Sequence, residues 1–388
     1  MQLARLQQAL AARQQAGLRR QSQAFTQVQG RLLHCNGKAY LNFSANDYLD
    51  LASDKLLQGA LAEGASRYGV GSTGSPLVTG HHSAHADLTA QLAEWLGFER
   101  VLLFSSGFAA NQTMLGSLAA ESDLLLLDKL SHASLIDAAL QHKGRFKRFA
   151  HNDLAALSRL LPAIPGADSH SLVVTEGVFS MDGDSPDLTA MARLCAEQDA
   201  ALLLDDAHGL GVLGEEGRGS WFAQGLKPTD LYCYMANFGK ALGVGGAFLA
   251  GRKTLIDYIE QFGRHYIYST ALSPALCCAV SKSIELVRTE QWRRDKLYDN
   301  IALFQQRAAA AGLPCLAATG AIQAVMLGNS EHAVAVSQQL REQGIWLTAI
   351  RPPTVPPGTA RLRVTLSASQ QPADIEYLIK MLQQALLC

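Results

Sequence analysis

The sequence lacks the features that would place it in several large classes of protein. Its longest apolar stretches, residues 241–251 and 308–318, are far shorter than the roughly 20 residues of a membrane-spanning helix. It has seven cysteines but no Cys-x-x-Cys pair, so neither a disulfide framework nor a zinc site is indicated, and a cytoplasmic location is expected. The net charge of −1 argues against a protein built mainly to bind nucleic acid or an anionic membrane.

Acidic residues are absent from residues 1–46, which carry six basic side chains. Leu3, Leu6 and Leu10 recur at helical spacing, so this stretch predicts a docking helix with a basic edge. An organelle transit peptide is the less favoured interpretation, because the stretch is rich in glutamine and poor in serine. No apolar core of a signal peptide follows Met1.

The chain is long and apolar enough for one large and one smaller domain, with 388 residues of which 48% are hydrophobic. Short apolar runs separated by helical patterns predict buried, mostly parallel strands of an α/β domain. These runs cover residues 101–104, 124–127, 172–175, 201–204, 231–235 and 247–250. Beyond Pro274 the pattern predicts an α+β domain, with strands at 322–327, 345–350 and 362–366 and helices at 332–343 and 373–387. The predicted divisions are an N-terminal helical arm (1–45), a large domain (46–275) and a small C-terminal domain (276–388).

Two motifs have a simpler interpretation than the ligand site they resemble. Residues 69–74 match a dinucleotide-binding Gly-x-Gly-x-x-Gly pattern, but the segment before them is helix-like, whereas the motif requires a strand there. A nicotinamide-dependent oxidoreductase is therefore disfavoured. His81, His82 and His85 include a pair four residues apart, but no glutamate lies within the triplet and no thiol lies near it. We interpret them as surface or loop histidines and predict no metal.

Two segments that follow predicted strands carry groups suited to an anionic, aromatic ligand. Residues 105–111 predict a helix N-terminus with free backbone N–H groups, which suits a phosphate. The leucine run 202–204 leads directly into Asp205, Asp206 and His208. A buried carboxylate needs a cation or hydrogen-bond donors. A helix-capping role for either aspartate leaves the position of His208 unexplained.

Lys240 supplies the remaining reactive group. It is the only charged residue between Asp230 and Arg252 and lies among glycines. Desolvation there favours a neutral, nucleophilic amine, and we prefer this interpretation to a lysine that extends to solvent at a sheet edge. Pyridoxal 5′-phosphate matches the whole set, because its aldehyde binds a lysine, its ring nitrogen a carboxylate and its phosphate backbone N–H groups.

The sequence resembles the α-oxoamine synthases over nearly its whole length. The resemblance rests on residues 41–49, 106–111, 131–134, 175–184, 205–209 and 238–240. It implies an aspartate-aminotransferase-type fold (fold type I) with a mostly parallel seven-stranded sheet and a smaller α+β domain. It also implies pyridoxal phosphate as cofactor and a homodimer with the active site at the subunit interface. Residues 350–363 are most similar to the branch of the family that condenses L-alanine with a pimeloyl thioester in biotin biosynthesis.

The resemblance also implies roles for individual residues. Lys240 would bind the cofactor aldehyde, Asp205 the ring nitrogen, and His132 would stack on the ring. The remaining cofactor contacts would come from Gly107, Phe108, Ser180, His208, Asn237 and, from a neighbouring subunit, Thr270. The substrate contacts would come from Arg19, Asn46, His132, Thr354 and Arg363.

The sequence departs from the family pattern at two positions. Asn237 replaces a usual threonine, so we expect a shifted phosphate contact, and Asp50 replaces a usual glycine. Two alternative functions remain: a sibling enzyme that uses glycine with acetyl- or succinyl-coenzyme A, and a non-catalytic binding protein of the same fold. The acyl carrier, coenzyme A or acyl-carrier protein, also stays open.

Overall fold

The computed structural model describes residues 2–161 and 169–387. By their internal contacts they divide into two units. One unit is Asn46–Leu297, and the other combines Met1–Ala45 with Tyr298–Cys388. The predicted arm thus belongs to the same unit as the C-terminal residues. The domain bounds of 46–275 and 276–388 stay a prediction. The predicted divisions also include residues 1, 162–168 and 388, which lie outside the described residues.

The strands, in chain order, are β1 (Gln27–Gln29), β2 (Leu32–Cys35), β3 (Lys38–Asn42), β4 (Arg100–Phe104), β5 (Leu124–Asp128), β6 (Arg145–Phe149), β7 (Ser171–Glu176), β8 (Ala200–Asp205), β9 (Cys233–Asn237), β10 (Ala247–Gly251), β11 (Ile322–Gly328), β12 (Ile345–Trp346), β13 (Thr348–Ile350) and β14 (Ala360–Thr365).

The α-helices are α1 (Gln2–Gln15), α2 (Lys55–Tyr68), α3 (Ser83–Leu96), α4 (Gly107–Leu118), α5 (Ala133–Gln141), α6 (Leu154–Leu160), α7 (Leu188–Glu197), α8 (Ser220–Ala223), α9 (Lys253–Phe262), α10 (Arg264–Ile267), α11 (Pro274–Thr289), α12 (Gln291–Ala310), α13 (Ser330–Glu342) and α14 (Pro372–Leu387). Within residues 2–161 and 169–387, none of the helices combines the length and the apolar character needed to cross a bilayer.

The 46–297 unit contains a seven-stranded, mostly parallel sheet, which confirms the predicted fold class. Its strand order is β4-β10-β9-β8-β7-β5-β6. The pairs from β9 to β6 are parallel, and β10 runs antiparallel to both β4 and β9. The carboxyl ends of β4, β5, β7, β8 and β9 therefore lie at one edge of the sheet, where ligands of parallel sheets bind.

All six predicted apolar runs are strands of this sheet. Every residue of β5, β7 and β10 is buried, which explains why these strands read as unbroken apolar runs and not as an alternating pattern. The seventh strand, β6, was not predicted from its own residues, because Arg145, Lys147 and Arg148 interrupt the apolar pattern. It is an edge strand, and charged side chains on an edge oppose pairing with another chain.

The other unit contains two smaller sheets, one of strand order β1-β2-β3-β12 and one of order β11-β14-β13. The single strand predicted over 345–350 is two strands, because the chain passes from one sheet to the other at buried Leu347. The predicted helices 332–343 and 373–387 are α13 and α14. Helix α1 is present, but Leu3, Leu6 and Leu10 are exposed, so its apolar face is not covered by the described residues.

His151 joins two segments at the carboxyl edge of the seven-stranded sheet. Its Nδ1 lies 2.8 Å from Oδ1 of Asp128, which ends β5, and its Nε2 lies 2.8 Å from Oδ2 of Asp184. Because carboxylates only accept hydrogen bonds, both ring nitrogens must carry hydrogen, which makes His151 a cation. Burial lowers the pKa of His151, but its bonds to the two carboxylates outweigh burial and raise the pKa to about 10.

We expect His151→Gln to lower the free energy of unfolding by about 2–4 kcal/mol near neutral pH, because it leaves two carboxylates without their cation. The folded pKa is raised above 6.5, so the contribution is complete below that value and is lost as the pH rises through about 10. Urea unfolding of both proteins at neutral and alkaline pH tests this. His170→Gln, which changes an exposed histidine, is the control. A stability difference that does not shrink at alkaline pH would contradict the assignment.

Candidate active site

Lys240 lies at the carboxyl edge of the sheet, in the turn that follows β9. Its Nζ is 2.7 Å from Nε2 of His208. Nδ1 of the same imidazole is 2.6 Å from Oη of Tyr48, and Oη of Tyr48 lies 3.3 Å from Oδ1 of Asn46. The structure therefore brings three of the predicted site residues, Lys240, His208 and Asn46, into one connected set through Tyr48.

Sequence reasoning missed Tyr48 as a member of this set. In the sequence it is an aromatic residue beside leucines, which is typical of a core position, and its ring is indeed buried. The one signal was its place inside the 41–49 motif. Its hydroxyl contact with His208 joins residues 160 positions apart, so only the tertiary structure reveals it.

The segment that carries Tyr48 is held in place by hydrogen bonds, although Asp50 stands where the family usually has glycine. Asp50 has a φ of +56°, the left-handed conformation for which glycine is the usual residue and which aspartate tolerates. Nη1 of Arg293 donates to the carbonyl oxygens of Leu49 and Asp50, and Nη2 pairs with Asp54 at 2.7 Å. The aspartate thus occupies the conformation that glycine would supply.

Asp205 ends β8 with its carboxylate buried, and the side chain is held by donors rather than by a cation. Oδ1 accepts from the backbone N–H of Ala207 at 3.0 Å, and Oδ2 accepts from Nδ2 of Asn111 at 2.7 Å. Among the described residues Asp205 has no ion-pair partner. Both carboxylate oxygens therefore have hydrogen-bond donors but no cation among the described residues, which suits a cationic ligand.

Two further buried carboxyls lie next to Asp205: Asp206 follows it in the chain, and Glu176 pairs with it from the end of β7. Burial raises the pKa of Asp206 to about 7, although Ser220 and Tyr234 donate to its carboxylate. Burial and then the charge of Asp205 raise the pKa of Glu176 well above its ordinary value. Three carboxyl groups close together favour a cationic ligand. The raised pKa values of Glu176 and Asp206 mean that these two groups release their protons less readily than usual.

His132 follows β5 and caps helix α5. Its backbone N–H donates to Oε1 of Glu176 at 2.5 Å, and its Nδ1 accepts from the backbone N–H of Ser134 at 3.2 Å. Burial lowers the pKa of His132, while the charge of Asp205 raises it and that of Lys240 lowers it. The net shift is downward, which favours a neutral imidazole at pH 7.

Helix α4 presents its N-terminus after β4, as the sequence predicts. Ser106 caps the helix by accepting from the N–H of Ala109 at 3.2 Å, and Gly107 and Phe108 begin its first turn. Nδ2 of Asn237 lies 3.6 Å from the point that a Cβ would occupy on Gly107. Because Oδ1 of Asn237 accepts from the N–H of Gly239, its NH₂ group faces the helix N-terminus. This is a cradle for an anion.

The hydrogen bonds described above, around Lys240 and Asp205, do not include the other predicted site residues. Ser180 is half-buried beyond β7, and Thr270 is exposed after α10. In the unit formed by 1–45 and 298–388, Oγ1 of Thr354 accepts from Arg20 at 2.9 Å, whereas its neighbour Arg19 is exposed. Buried Arg363 lies in β14 and donates to Oγ1 of Thr365 at 3.0 Å.

Two motifs remain outside this set. Helix α2 precedes residues 69–74, so the context of a dinucleotide-binding strand is absent, as predicted. The interpretation of His85 as a surface or loop residue is wrong, because it is buried in α3. Its Nδ1 accepts from the N–H of His82, and its Nε2 donates to the carbonyl of Leu272 at 2.7 Å. The turn before α3 places this ring inward to satisfy two backbone groups, and periodicity over three histidines does not reveal that.

One group of described residues has metal-ligand spacing. His151, Asp182 and Asp184 each offer a ligand atom, and these atoms lie within 4.8 Å of one another. Both nitrogens of His151 are already bonded to carboxylates, so its ring is committed to the contacts described above. The prediction of no metal stays a prediction.

The residues at the sheet edge fit pyridoxal phosphate. The fit rests on a buried carboxylate, Asp205, that has donors but no cation among the described residues, and on the N–H cradle at Gly107 and Phe108. Lys240 supplies the amine at the same edge. The three groups match the ring nitrogen, the phosphate and the aldehyde of that cofactor.

Comparisons with known proteins agree with this fit. The family model "Aminotransferase class I and II" matches residues 38–382. The chain is 50% identical over 378 residues to an 8-amino-7-oxononanoate synthase of Vibrio vulnificus strain CMCP6, covering 97% of this chain and 96% of that one.

Two solved structures are also similar. A serine palmitoyltransferase from S. paucimobilis, which has a bound PLP–myriocin aldimine, gives a TM-score of 0.92 at 29% identity and covers 98% of this chain and 96% of that one. An 8-amino-7-oxononanoate synthase from Francisella tularensis gives a TM-score of 0.78 at 28% identity and covers 90% of this chain and 98% of that one. The chain therefore belongs to the class I and II aminotransferase family and, within it, to the pyridoxal-phosphate-dependent α-oxoamine synthases.

Proposed function

We propose that this chain condenses L-alanine with a pimeloyl thioester to give 8-amino-7-oxononanoate, carbon dioxide and the free thiol carrier, a step of biotin biosynthesis. The observation that carries the choice of substrates is the 50% identity, over nearly the full length, to proteins of that name. The chemistry is supported by Lys240, His208 and Asp205, which lie at the same edge of the sheet.

Bound pyridoxal phosphate would supply an electron sink that stabilises negative charge at the Cα of the amino acid. Lys240, Asp205 and the N–H groups of Gly107 and Phe108 would hold the cofactor, with Asn237 beside its phosphate. His132 would lie against the ring, and Ser180 and His208 near its hydroxyl group. Thr270 would reach the phosphate from the second subunit of a homodimer.

Lys240 is the proposed general base. Its Nζ would remove the proton from Cα of alanine and later return one to the product. His208 lies 2.7 Å from Nζ and is itself held by Tyr48, so the amine has a defined position from which to act. The carboxylate of Asp205, which is positioned by its two hydrogen bonds, would lie opposite the ring nitrogen.

The substrate contacts are proposed from the family resemblance. Arg363 would bind the carboxylate of alanine, and Asn46 and His132 would contact the reacting groups. Arg19 and Thr354 would line the acyl side, where the basic N-terminal segment suits an anionic pimeloyl carrier. We place the enzyme in the cytoplasm, in keeping with free cysteines throughout the described residues.

Lys240→Ala should abolish product formation and the visible absorbance of the protein-bound cofactor, because it removes the amine proposed to bind the cofactor aldehyde. Product is measured by mass spectrometry, and absorbance is measured on the purified protein. Lys253→Ala, which removes an exposed lysine, should change neither. Product formation by the Lys240 variant would refute its role. A wild-type protein that stays colourless with added cofactor would favour a non-catalytic binding protein.

Asp205→Asn should leave cofactor binding measurable but lower the rate of α-proton exchange of alanine by about 100-fold or more, the effect of losing a buried charge pair. Exchange in deuterated water is followed by NMR without any acyl substrate. Asp87→Asn, at an exposed carboxylate, is the control. Exchange at the wild-type rate in the Asp205 variant would contradict the proposed pairing with the ring nitrogen.

The wild-type enzyme should prefer L-alanine with pimeloyl-coenzyme A or pimeloyl-acyl-carrier protein over glycine with acetyl- or succinyl-coenzyme A. We expect kcat/KM to differ by about tenfold or more, since a pocket formed around a methyl group and a long acyl chain discriminates to that extent. A matrix of amino acids and thioesters, read by mass spectrometry, makes the comparison. A preference for glycine would support the sibling reaction instead.

A further inference from the structure

The buried polar residues Asn111 and Ser134 connect two of the groups proposed to contact the cofactor ring. Both side chains are 1% exposed. Nδ2 of Asn111 lies 2.7 Å from Oδ2 of Asp205 and 2.9 Å from Oγ of Ser134. Oγ of Ser134 lies in turn 2.8 Å from Nδ1 of His132. The four side chains form one continuous row of hydrogen bonds.

The direction of every bond in this row follows from the chemistry of the groups. A carboxylate only accepts, so the atom of Asn111 that faces Asp205 must be the amide nitrogen. The second hydrogen of that NH₂ group then points to Oγ of Ser134, which accepts it. The hydroxyl hydrogen of Ser134 is therefore available for Nδ1 of His132.

Nδ1 of His132 must consequently be an acceptor. The backbone N–H of Ser134 also donates to it, at 3.2 Å, and a backbone N–H cannot accept. A ring nitrogen that accepts carries no proton, so a neutral His132 has its proton on Nε2. The downward shift of the pKa of His132, caused mainly by burial, agrees with a neutral ring.

We propose that Asn111 and Ser134 are positioning residues that fix His132 as the Nε2–H tautomer and tie its ring to the carboxylate of Asp205. The proposal rests on the proposed function for the roles of His132 and Asp205. A helix cap alone would explain the bond from the backbone of Ser134, but it requires neither the hydroxyl nor Asn111. The amide of Asn111 is oriented by its NH₂ group, which bonds both Asp205 and Ser134.

Ring-nitrogen NMR of the holoenzyme, labelled with isotopic histidine, tests the tautomer directly. The signals of His132 are those lost in His132→Gln. In the wild type we expect Nδ1 to resonate as an unprotonated nitrogen and Nε2 as a protonated one near neutral pH. In Ser134→Ala we expect a mixture of tautomers, because one of the two donors to Nδ1 is gone. A proton on Nδ1 in the wild type would overturn the proposal.

Steady-state kinetics with alanine and pimeloyl-coenzyme A give the second measurement. Ser134→Ala should lower kcat/KM about three- to tenfold, and Ser134→Thr, which keeps a hydroxyl, should restore most of it. Asn111→Leu should lower kcat/KM about tenfold or more and weaken cofactor binding, because it removes a bond to a charged group. Ser131→Ala is the matched control, since its buried hydroxyl has no partner among the described residues.

These outcomes separate the inference from the proposed function. If Ser134→Ala equals Ser131→Ala in both the NMR spectrum and kcat/KM while the wild type makes product, the positioning role is wrong and the function stands. If the wild type makes no product from this substrate pair, the function is wrong. The tautomer of His132 and the cofactor affinity of Asn111→Leu still decide the positioning role in that case.

Discussion

The carboxyl group of Asp205 is buried at the end of β8, where a polar group requires hydrogen-bond partners, and the rest of the site is arranged around that constraint. Ala207 and Asn111 supply the donors. Glu176 and Asp206 are buried beside it and hold their protons more strongly than usual. A buried carboxylate with donors but no cation among the described residues suits a cationic partner, and the family supplies one in the protonated ring of its cofactor.

The parallel sheet explains why so many reactive groups meet in one place. Strands β4, β5, β7, β8 and β9 end at the same edge, and each is followed by one of the groups that the site uses. Segments at that edge are themselves tied together, since His151 bridges the end of β5 to the segment after β7. Positions that are far apart in the chain are therefore held within hydrogen-bond distance.

Sequence reasoning predicted the large sheet well because its strands are buried on both faces and read as plain apolar runs. It failed on β6, whose charges suit an edge strand, and it merged β12 with β13, because an unbroken apolar pattern does not show where a chain changes sheets. It singled out Lys240 and Asp205 as candidate site residues because a charge in an apolar stretch is conspicuous. It missed Tyr48, because an aromatic residue beside leucines is typical of a core position and the role of its hydroxyl group does not show in the sequence.

The sequence by itself indicated the family, through motifs that resemble it. It also indicated the cofactor and the residues with unusual chemistry, because these residue types stand directly after apolar strands. Only the tertiary structure decided which partners those residues have. Tyr48 on His208, Asn111 on Asp205 and Ser134 on His132 are hydrogen bonds, and a hydrogen bond depends on distance and direction in space. A local pattern fixes where a side chain begins along the chain, whereas the packing of distant elements fixes what it meets.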